Sequence, residues 1–259
     1  MSEVNKGHIV EALRPIWKTK AETASRVLQR IRTVMNFAAA NDYCQGLDAE
    51  FWNQIKMALG ANQRAKKVEH HASCAYQDAP ALLAKIQHST ATPMVKLAFE
   101  FGLLTAARSG EIRGAVWSEI DERGTQWIIP AERMKAGREH RVPLSNRAIE
   151  ILSAAKQHAL ELNGKVDDLI FCSPKGKPYS DMTFTQLLRR LDLPYTMHGF
   201  RATFRTWGME TTTHSHEMLE FALAHVAGDQ TVRAYARGDM GLKRQQLMNE
   251  WTNFMTHQG

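Results

Sequence analysis

The sequence predicts an α+β protein that is mainly α with a small antiparallel β-sheet. Apolar residues recur at the 3.6-residue period of an amphipathic helix in several separate segments. Residues 125–145 instead carry two short apolar runs on either side of an Ala-Gly-Arg-Glu turn, which is the pattern of a β-hairpin. The chain has 259 residues, 44% of them hydrophobic, enough for one large or two modest domains.

The first long helical segment covers residues 19–42. Its Thr19-x-x-Glu22 pattern predicts a capping box at the N-terminus. Arg26 and Arg30 lie four residues apart on the polar face, either as a solvated basic surface or as contacts for an anionic partner. The opposite face is predicted to be buried and consists of Val27, Leu28, Ile31, Val34, Met35 and Ala38.

A second short helix is predicted around residues 48–59. Residues 60–80 are polar and have no period, which is typical of a linker. The predicted organisation is a helical domain at 1–62, a linker at 63–80 and a larger mixed domain at 81–259.

The linker contains His70, His71 and Cys74, but a zinc site needs four ligands and no matching second pair is nearby. Cys44 and Cys172 are far away in sequence, and an odd number of cysteines argues against a disulfide framework. We therefore expect no metal and no disulfide.

The second domain is predicted to hold the hairpin, several amphipathic helices and one short buried strand or extended piece at 169–173. The helices are expected at residues 92–107, 146–162, 181–190, 198–211, 216–224 and 241–256.

The formal net charge is +6, which favours an anionic partner and nucleic acid first. No apolar run approaches the roughly 20 residues that cross a bilayer. The N-terminus lacks the apolar core of a signal peptide. These features predict a cytoplasmic protein.

The segment "LLTAARSGEIRGAVW" places Arg108 at a junction between two helices, with Ser109 as the cap of the second. An arginine at such a junction is often partly buried and then needs an anion. Glu111 could be that anion, or a bound phosphate could be.

The hairpin carries basic side chains near its turn, with Lys135 before it and Arg138, His140 and Arg141 after it. Such a tip can enter a nucleic-acid groove, and it can equally be a solvated hairpin.

Two further stretches contain polar groups in unusual surroundings. In "MHGFRATFRTWGME", His198 and Arg201 share one helical face. In "HVAGDQTVRAYARGDM", His225 precedes Tyr235, a tyrosine flanked by alanines and arginines rather than by the apolar neighbours of a core residue.

Together these residues suit phosphoryl transfer. Two guanidiniums can clamp a phosphate and match the charge that develops on its oxygens. A lysine can protonate a leaving alkoxide. A tyrosine can attack phosphorus, provided that cationic neighbours lower its pKa from about 10.

The order Arg…Lys…His-x-x-Arg…His…Tyr resembles that of the tyrosine recombinases of the phage integrase family, in the branch carried by prophages and genomic islands. The resemblance runs from about residue 8 to the C-terminus. It implies a tyrosine recombinase catalytic domain preceded by a partial helical core-binding domain. Members of this branch are usually longer at the N-terminus, so it also implies an N-terminally truncated chain.

By this resemblance Arg108 and Arg201 hold the scissile phosphate, and Lys135 is the general acid toward the 5′-oxygen. His198 is an acid/base or hydrogen-bond partner, and His225 hydrogen-bonds the transition state. Tyr235 is the nucleophile, and its 3′-phosphotyrosyl ester requires neither metal nor ATP. Glu111 orients these catalytic residues without touching the phosphate itself. DNA contacts are expected from Arg26, Arg30, Arg138 and Arg141.

The implied function is site-specific integration and excision of mobile DNA. The implied partners are double-stranded attachment sites, further copies of the chain in a tetramer, and accessory DNA-bending or excisionase proteins, within the bacterial nucleoid. Two alternatives stay open: a truncated remnant that occupies sites or joins assemblies without recombining, and a DNA-relaxing enzyme similar to type IB topoisomerases. The C-terminal helix is expected to pack either on its own chain or on a neighbouring protomer.

Overall fold

The computed structural model describes residues 4–61, 72–163, 168–225 and 240–256. The chain divides into two compact units, Met1–Glu69 and His70–Gly259. The division falls within the predicted linker at 63–80.

The described part of the first unit contains three helices, α1 (Lys6–Trp17), α2 (Ala21–Ala40) and α3 (Ala49–Leu59). The side chains of Asn5 and Asp48 cap α1 and α3 by accepting from backbone N–H groups. Apolar residues from all three helices form the core of this unit: Ile9, Val10, Leu13, Trp17, Ala24, Leu28, Met35, Trp52, Ile55 and Leu59.

The predicted capping box at the start of α2 is wrong. Lys20 occupies the N-cap position and makes no side-chain cap. The Thr19 hydroxyl instead donates to the Pro15 carbonyl at 3.1 Å, because Thr19 lies in the short turn after α1, within reach of the last carbonyls of that helix. Glu22 pairs with Arg26 at 2.8 Å. Val34, which was expected to be buried, is half exposed.

The second unit is mixed, as the sequence predicts. Its elements are α4 (Ala79–Gln87), α5 (Pro93–Thr105), α6 (Ser109–Arg113), β1 (Gln126–Ile129), β2 (His140–Pro143), α7 (Asn146–Asn163), α8 (Thr183–Arg190), α9 (Gly199–Thr211), α10 (His216–Ala222) and α11 (Met240–Thr256). The predicted strand at 169–173 forms only isolated bridges, Val116↔Leu169 and Cys172↔Pro178.

The two strands pair antiparallel, in a register that sets Ile129 opposite His140. The connection is longer than the predicted Ala-Gly-Arg-Glu turn. Pro130 follows β1 directly and has no N–H to continue the ladder. A 3₁₀ turn at Ala131–Arg133 comes next, and then a β-turn in which the Gly137 N–H donates to the Met134 carbonyl at 2.9 Å.

Helix α5 lies in the centre of this unit, and Phe99 and Phe101 have no exposed surface. Helix α11 packs on its own chain, because Leu247, Met248, Trp251 and Met255 are buried in the same core. The Trp251 indole N–H donates to the Leu103 carbonyl at 2.8 Å. Of the two arrangements left open for this helix, the structure shows packing in cis.

The second half of the predicted linker is packed rather than free. Cys74 is buried, and its carbonyl accepts from the Thr203 hydroxyl at 2.7 Å. At the start of α9, a Cβ on Gly199 would lie 2.2 Å from the Ala72 carbonyl oxygen. Only a glycine therefore allows this segment to approach α9 so closely.

Among the helices of the described ranges, none combines the length and the apolarity needed to cross a membrane.

Gly199→Ala is expected to lower the free energy of unfolding by about 1–3 kcal/mol, because backbone rather than a flexible side chain opposes the added methyl. Urea unfolding followed by circular dichroism measures the change. Gly110→Ala is the matched control, since a Cβ at Gly110 meets nothing within 4 Å. Equal stability of the two variants would contradict the close approach.

Candidate active site

The site begins at the junction of α5 and α6. Helix α5 ends at Thr105, and its C-cap residue, Ala106, adopts a left-handed conformation with φ 49°. Arg108 occupies the N-cap position of α6, so the prediction that Ser109 caps this helix is wrong. The carboxylate of Glu111 instead accepts from the Arg108 backbone N–H at 2.7 Å. It thereby satisfies a backbone donor at the start of α6 that has no partner within the helix.

The same carboxylate pairs with the Arg108 side chain, with 2.7 Å between Nη1 and Oε1. Glu111 is buried, whereas the Arg108 side chain is 22% exposed. Glu111 is thus the anion that the sequence offered as one partner of Arg108. The guanidinium has five N–H donors, and its exposed part can still meet an external anion.

Arg201 on α9 is 4% exposed and points into the unit rather than away from it. Its Nη1 donates to the Ala106 carbonyl and its Nη2 to the Leu223 carbonyl. Burial and, after it, the charge of Arg108 lower the pKa of Arg201 to about 10, against the opposing effects of Glu111 and Glu220. Arg201 is therefore still a cation at neutral pH.

Both carbonyls that hold Arg201 lie at strained backbone. Ala106 and Ala224 each have φ 49°, a conformation that alanine adopts at a cost of roughly 1–2 kcal/mol. Ala106 supplies one acceptor itself, and Leu223 immediately precedes Ala224. Such outliers persist where surrounding contacts enforce them, and they cluster at functional sites.

His225 follows α10 and joins the same group. Its Nε2 lies 3.3 Å from Nη2 of Arg201, and its Nδ1 lies 2.7 Å from the Glu220 carboxylate. Burial raises the pKa of Glu220, but hydrogen bonds from His225 and Arg205 outweigh it, so that the pKa is lowered. Glu220 therefore fixes the orientation of the imidazole as an ionised carboxylate.

Two further predicted catalytic residues, His198 and Lys135, lie at exposed positions. His198 is exposed and occupies the N-cap position of α9, three residues before Arg201. Lys135 is exposed in the β-turn between β1 and β2. Tyr235 lies outside the described residues, so its place is still a prediction.

The four predicted DNA-contact arginines are all exposed. Arg26 belongs to the first unit, and Arg30 follows it on α2. On the hairpin, Arg141 pairs with Glu139 at 2.8 Å, and Arg138 lies in the turn region. Their exposure is compatible with both alternatives, a solvated surface and a DNA contact.

Sequence reasoning missed the site role of His140. It was grouped with the basic residues of the hairpin tip, yet it lies against the arginines. Burial, followed by the charges of Arg244, Arg201 and Arg108, lowers the pKa of His140 to about 3, against the opposing effect of one backbone hydrogen bond to Ala222. His140 is therefore neutral at physiological pH.

Arg244 and Glu220 were also missed. The Arg244 side chain donates from Nη2 to the Arg141 carbonyl and so joins α11 to β2, while burial lowers its pKa to about 10. No local pattern marks either residue, because their partners lie on other elements. Within the described ranges, no group of three or more His, Cys, Asp or Glu side chains could hold a metal ion.

The pattern of the phage integrase family matches residues 75–241, more than half of the chain, and that of the phage integrase central domain matches residues 1–55. The chain belongs to the phage integrase family.

Curated relatives within this family are similar over nearly the whole chain. The prophage integrase IntA of Escherichia coli K12 is 28% identical over 260 residues, which cover 98% of this chain and 60% of IntA. The integrase of Enterobacteria phage P4 is 28% identical over 272 residues, with 96% and 59% covered. The chain thus spans about 60% of the length of these integrases.

Solved structures share the fold. A lambda integrase tetramer bound to a Holliday junction matches with a TM-score of 0.61 and 16% identity, covering 89% of this chain and 66% of that one. A post-cleavage complex of the XerH site-specific recombinase matches with a TM-score of 0.57 and 17% identity, covering 98% and 73%. The predicted mainly α fold with a small antiparallel sheet is confirmed, and lambda integrase and the XerH recombinase share it.

We expect His140→Gln to reduce the loss of unfolding free energy that occurs as the pH falls below 6.5. The pKa of His140 is depressed from 6.5 to about 3, so below pH 6.5 the unfolded chain takes up the proton first. Wild type should lose up to about 1.4 kcal/mol per pH unit from this group as pH falls from 6.5 toward 3. Above pH 6.5 the group contributes no slope.

Urea unfolding at pH 7, 6 and 5 measures this difference, with His88→Gln as the matched substitution of an exposed histidine. Parallel profiles for wild type and His140→Gln would show that His140 is not buried among the arginines.

Proposed function

We propose that this integrase-family chain is a tyrosine-type site-specific recombinase that integrates and excises mobile DNA. The observation that carries the proposal is the cluster of Arg108, Arg201 and His225, in which a buried arginine is held beside a partly exposed one and a histidine. The named activity of its relatives as prophage and phage integrases supports it.

In this scheme Arg108 and Arg201 bind the non-bridging oxygens of one DNA phosphate. Two cations that lie close together repel each other, and an anion between them relieves that repulsion. His225 contributes a further donor to the same phosphate as negative charge grows in the transition state. Glu111 and Glu220 hold Arg108 and His225 from the protein side.

The cleavage step is a transesterification. The Tyr235 oxygen attacks phosphorus, the bond from phosphorus to the 5′-oxygen breaks, and the 5′-oxygen takes a proton from Lys135. The phenol proton passes to a base, the role proposed for His198. A 5′-hydroxyl from a second DNA end reverses the step and rejoins the strands. The phosphotyrosyl ester conserves the phosphoester bond, so the scheme needs no nucleotide hydrolysis.

The proposed partner is double-stranded attachment-site DNA, contacted also by Arg26, Arg30, Arg138 and Arg141, and the proposed location is the bacterial nucleoid. We propose a tetramer in synapsis, by analogy with the lambda integrase tetramer bound to a Holliday junction. Accessory DNA-bending or excisionase proteins complete the proposed assembly.

The test is incubation with a nicked DNA substrate that carries the attachment site and loses a short strand on cleavage, which traps the covalent intermediate. Wild type should give a slowly migrating protein–DNA band on a denaturing gel, and Tyr235→Phe should give none. Retarded DNA on a native gel without any covalent band would contradict the proposal and favour a chain that occupies sites without recombining.

A further inference from the structure

The segment that presents Lys135 is fixed from one side by a buried methionine. Met134 is 5% exposed and belongs to the core of the second unit. Its carbonyl accepts from Gly137, whose φ of 61° closes the turn. Lys135 is the first residue after Met134, so its backbone is anchored while its side chain extends into solvent.

Arg133 fixes the same segment from the other side. Its Nη2 donates to the Glu111 carbonyl at 2.6 Å, and its Nη1 pairs with the Glu119 carboxylate. The side chain is 24% exposed, and Glu119 is buried. Gly114 leaves the space for this guanidinium, since a Cβ there would lie 2.9 Å from Nη2.

These contacts connect the segment that carries Lys135 to Arg108, the arginine beside which Lys135 is proposed to act. Glu111 offers its carbonyl to Arg133 and its carboxylate to Arg108. Arg133 is only two residues from Lys135, so no more than about 7 Å of chain separates their Cα atoms. A shift of α6 relative to the turn would therefore change the distance from Lys135 to a phosphate bound at Arg108.

We infer that Arg133 is a positioning residue for the general acid: it sets the reach of Lys135 toward the 5′-oxygen of the phosphate held by Arg108. The inference rests on the proposed recombinase chemistry. It also explains why Arg133 makes a second contact, which neutralising the charge of Glu119 does not require. Glu119 already accepts from the Trp127 indole N–H at 2.9 Å and needs only one cation, yet the guanidinium also donates to the backbone of α6.

The test compares two DNA substrates that differ only in the leaving group, one with the normal 5′-oxygen and one with sulfur in its place. When sulfur replaces the bridging 5′-oxygen, a thiolate departs without protonation, because the pKa of a thiol is about 8.5, far below that of an alcohol. A defect in general-acid catalysis should then disappear. A defect in folding, DNA binding or nucleophile placement should persist with both substrates.

Three variants disturb Arg133 in different ways. Arg133→Lys keeps a cation for Glu119 but loses the rigid fork that donates in two directions. The double variant Arg133→Gln/Glu119→Gln removes the ion pair without leaving a buried charge, and a glutamine still accepts from Trp127. Gly114→Ala pushes the guanidinium away from the Glu111 carbonyl and changes no charge.

Single-turnover cleavage is measured on the oxygen and sulfur forms of the same nicked substrate. Lys135→Ala and the double variant should be slower by about 10²-fold on the oxygen substrate and within about threefold of wild type on the sulfur substrate. Arg133→Lys and Gly114→Ala should show the same pattern with a smaller loss. The matched controls, Arg123→Gln at an exposed turn and Gly110→Ala on α6, should behave as wild type on both.

Equal losses on both substrates, or no loss on the oxygen substrate, would overturn the role of Arg133. If sulfur does not rescue Lys135→Ala, there is no general acid to position and the inference fails, while a Tyr235-dependent adduct would leave the proposed function standing. If wild type forms no adduct with either substrate, the proposed function itself fails.

Discussion

The arrangement of the site depends on how one buried guanidinium is satisfied. Arg201 is removed from water, and an unpaired charge in that position would cost several kcal/mol. The carbonyls of Ala106 and Leu223 accept from its two terminal nitrogens, whereas its Nε is buried with no hydrogen-bond partner in the described part of the chain. One carbonyl lies where α5 ends and the other just beyond the end of α10, where backbone carbonyls lack helical partners and the helix dipole favours cations. Arg201 thus holds the C-terminal ends of α5 and α10 against α9.

This constraint explains the electrostatics around it. Arg108 lies close enough to lower the pKa of Arg201, and His140 stays neutral because burial and then the nearby arginine charges disfavour its protonation. Each acid nearby already has partners, Glu111 with Arg108 and Glu220 with His225 and Arg205. Both acids are therefore already paired within the chain, while the partly exposed Arg108 can still accept an anion. The strain at Ala106 and Ala224 is consistent with carbonyls placed for Arg201 rather than for the helices alone.

The sequence predicted the residue types of the site better than their contacts. Periodicity located α5, α9 and α11, because their burial follows from apolar spacing, but no helix was predicted at α1 or α4. The Arg, His and Glu residues of the site could be recognised from the sequence, because the side chain itself carries the relevant chemistry. The acceptors for Arg201 were not, because any residue has a carbonyl and only the fold selects Ala106 and Leu223. Likewise the Thr19 cap failed because a short turn redirected a hydroxyl that local pattern assigns to α2.

The central claim is that Arg108 and Arg201 neutralise one phosphate. Because Arg201 is needed for packing, Arg108→Ala tests the claim best, with cleavage of a normal phosphate compared with a neutral methylphosphonate at the same position. The account predicts a loss of about 10²–10³-fold on the phosphate, as for the removal of one donor in a preorganised site, and less than about tenfold on the methylphosphonate. A folding defect of the variant would lower cleavage of both substrates equally and so would not affect the comparison. Equal losses on both substrates would contradict the account.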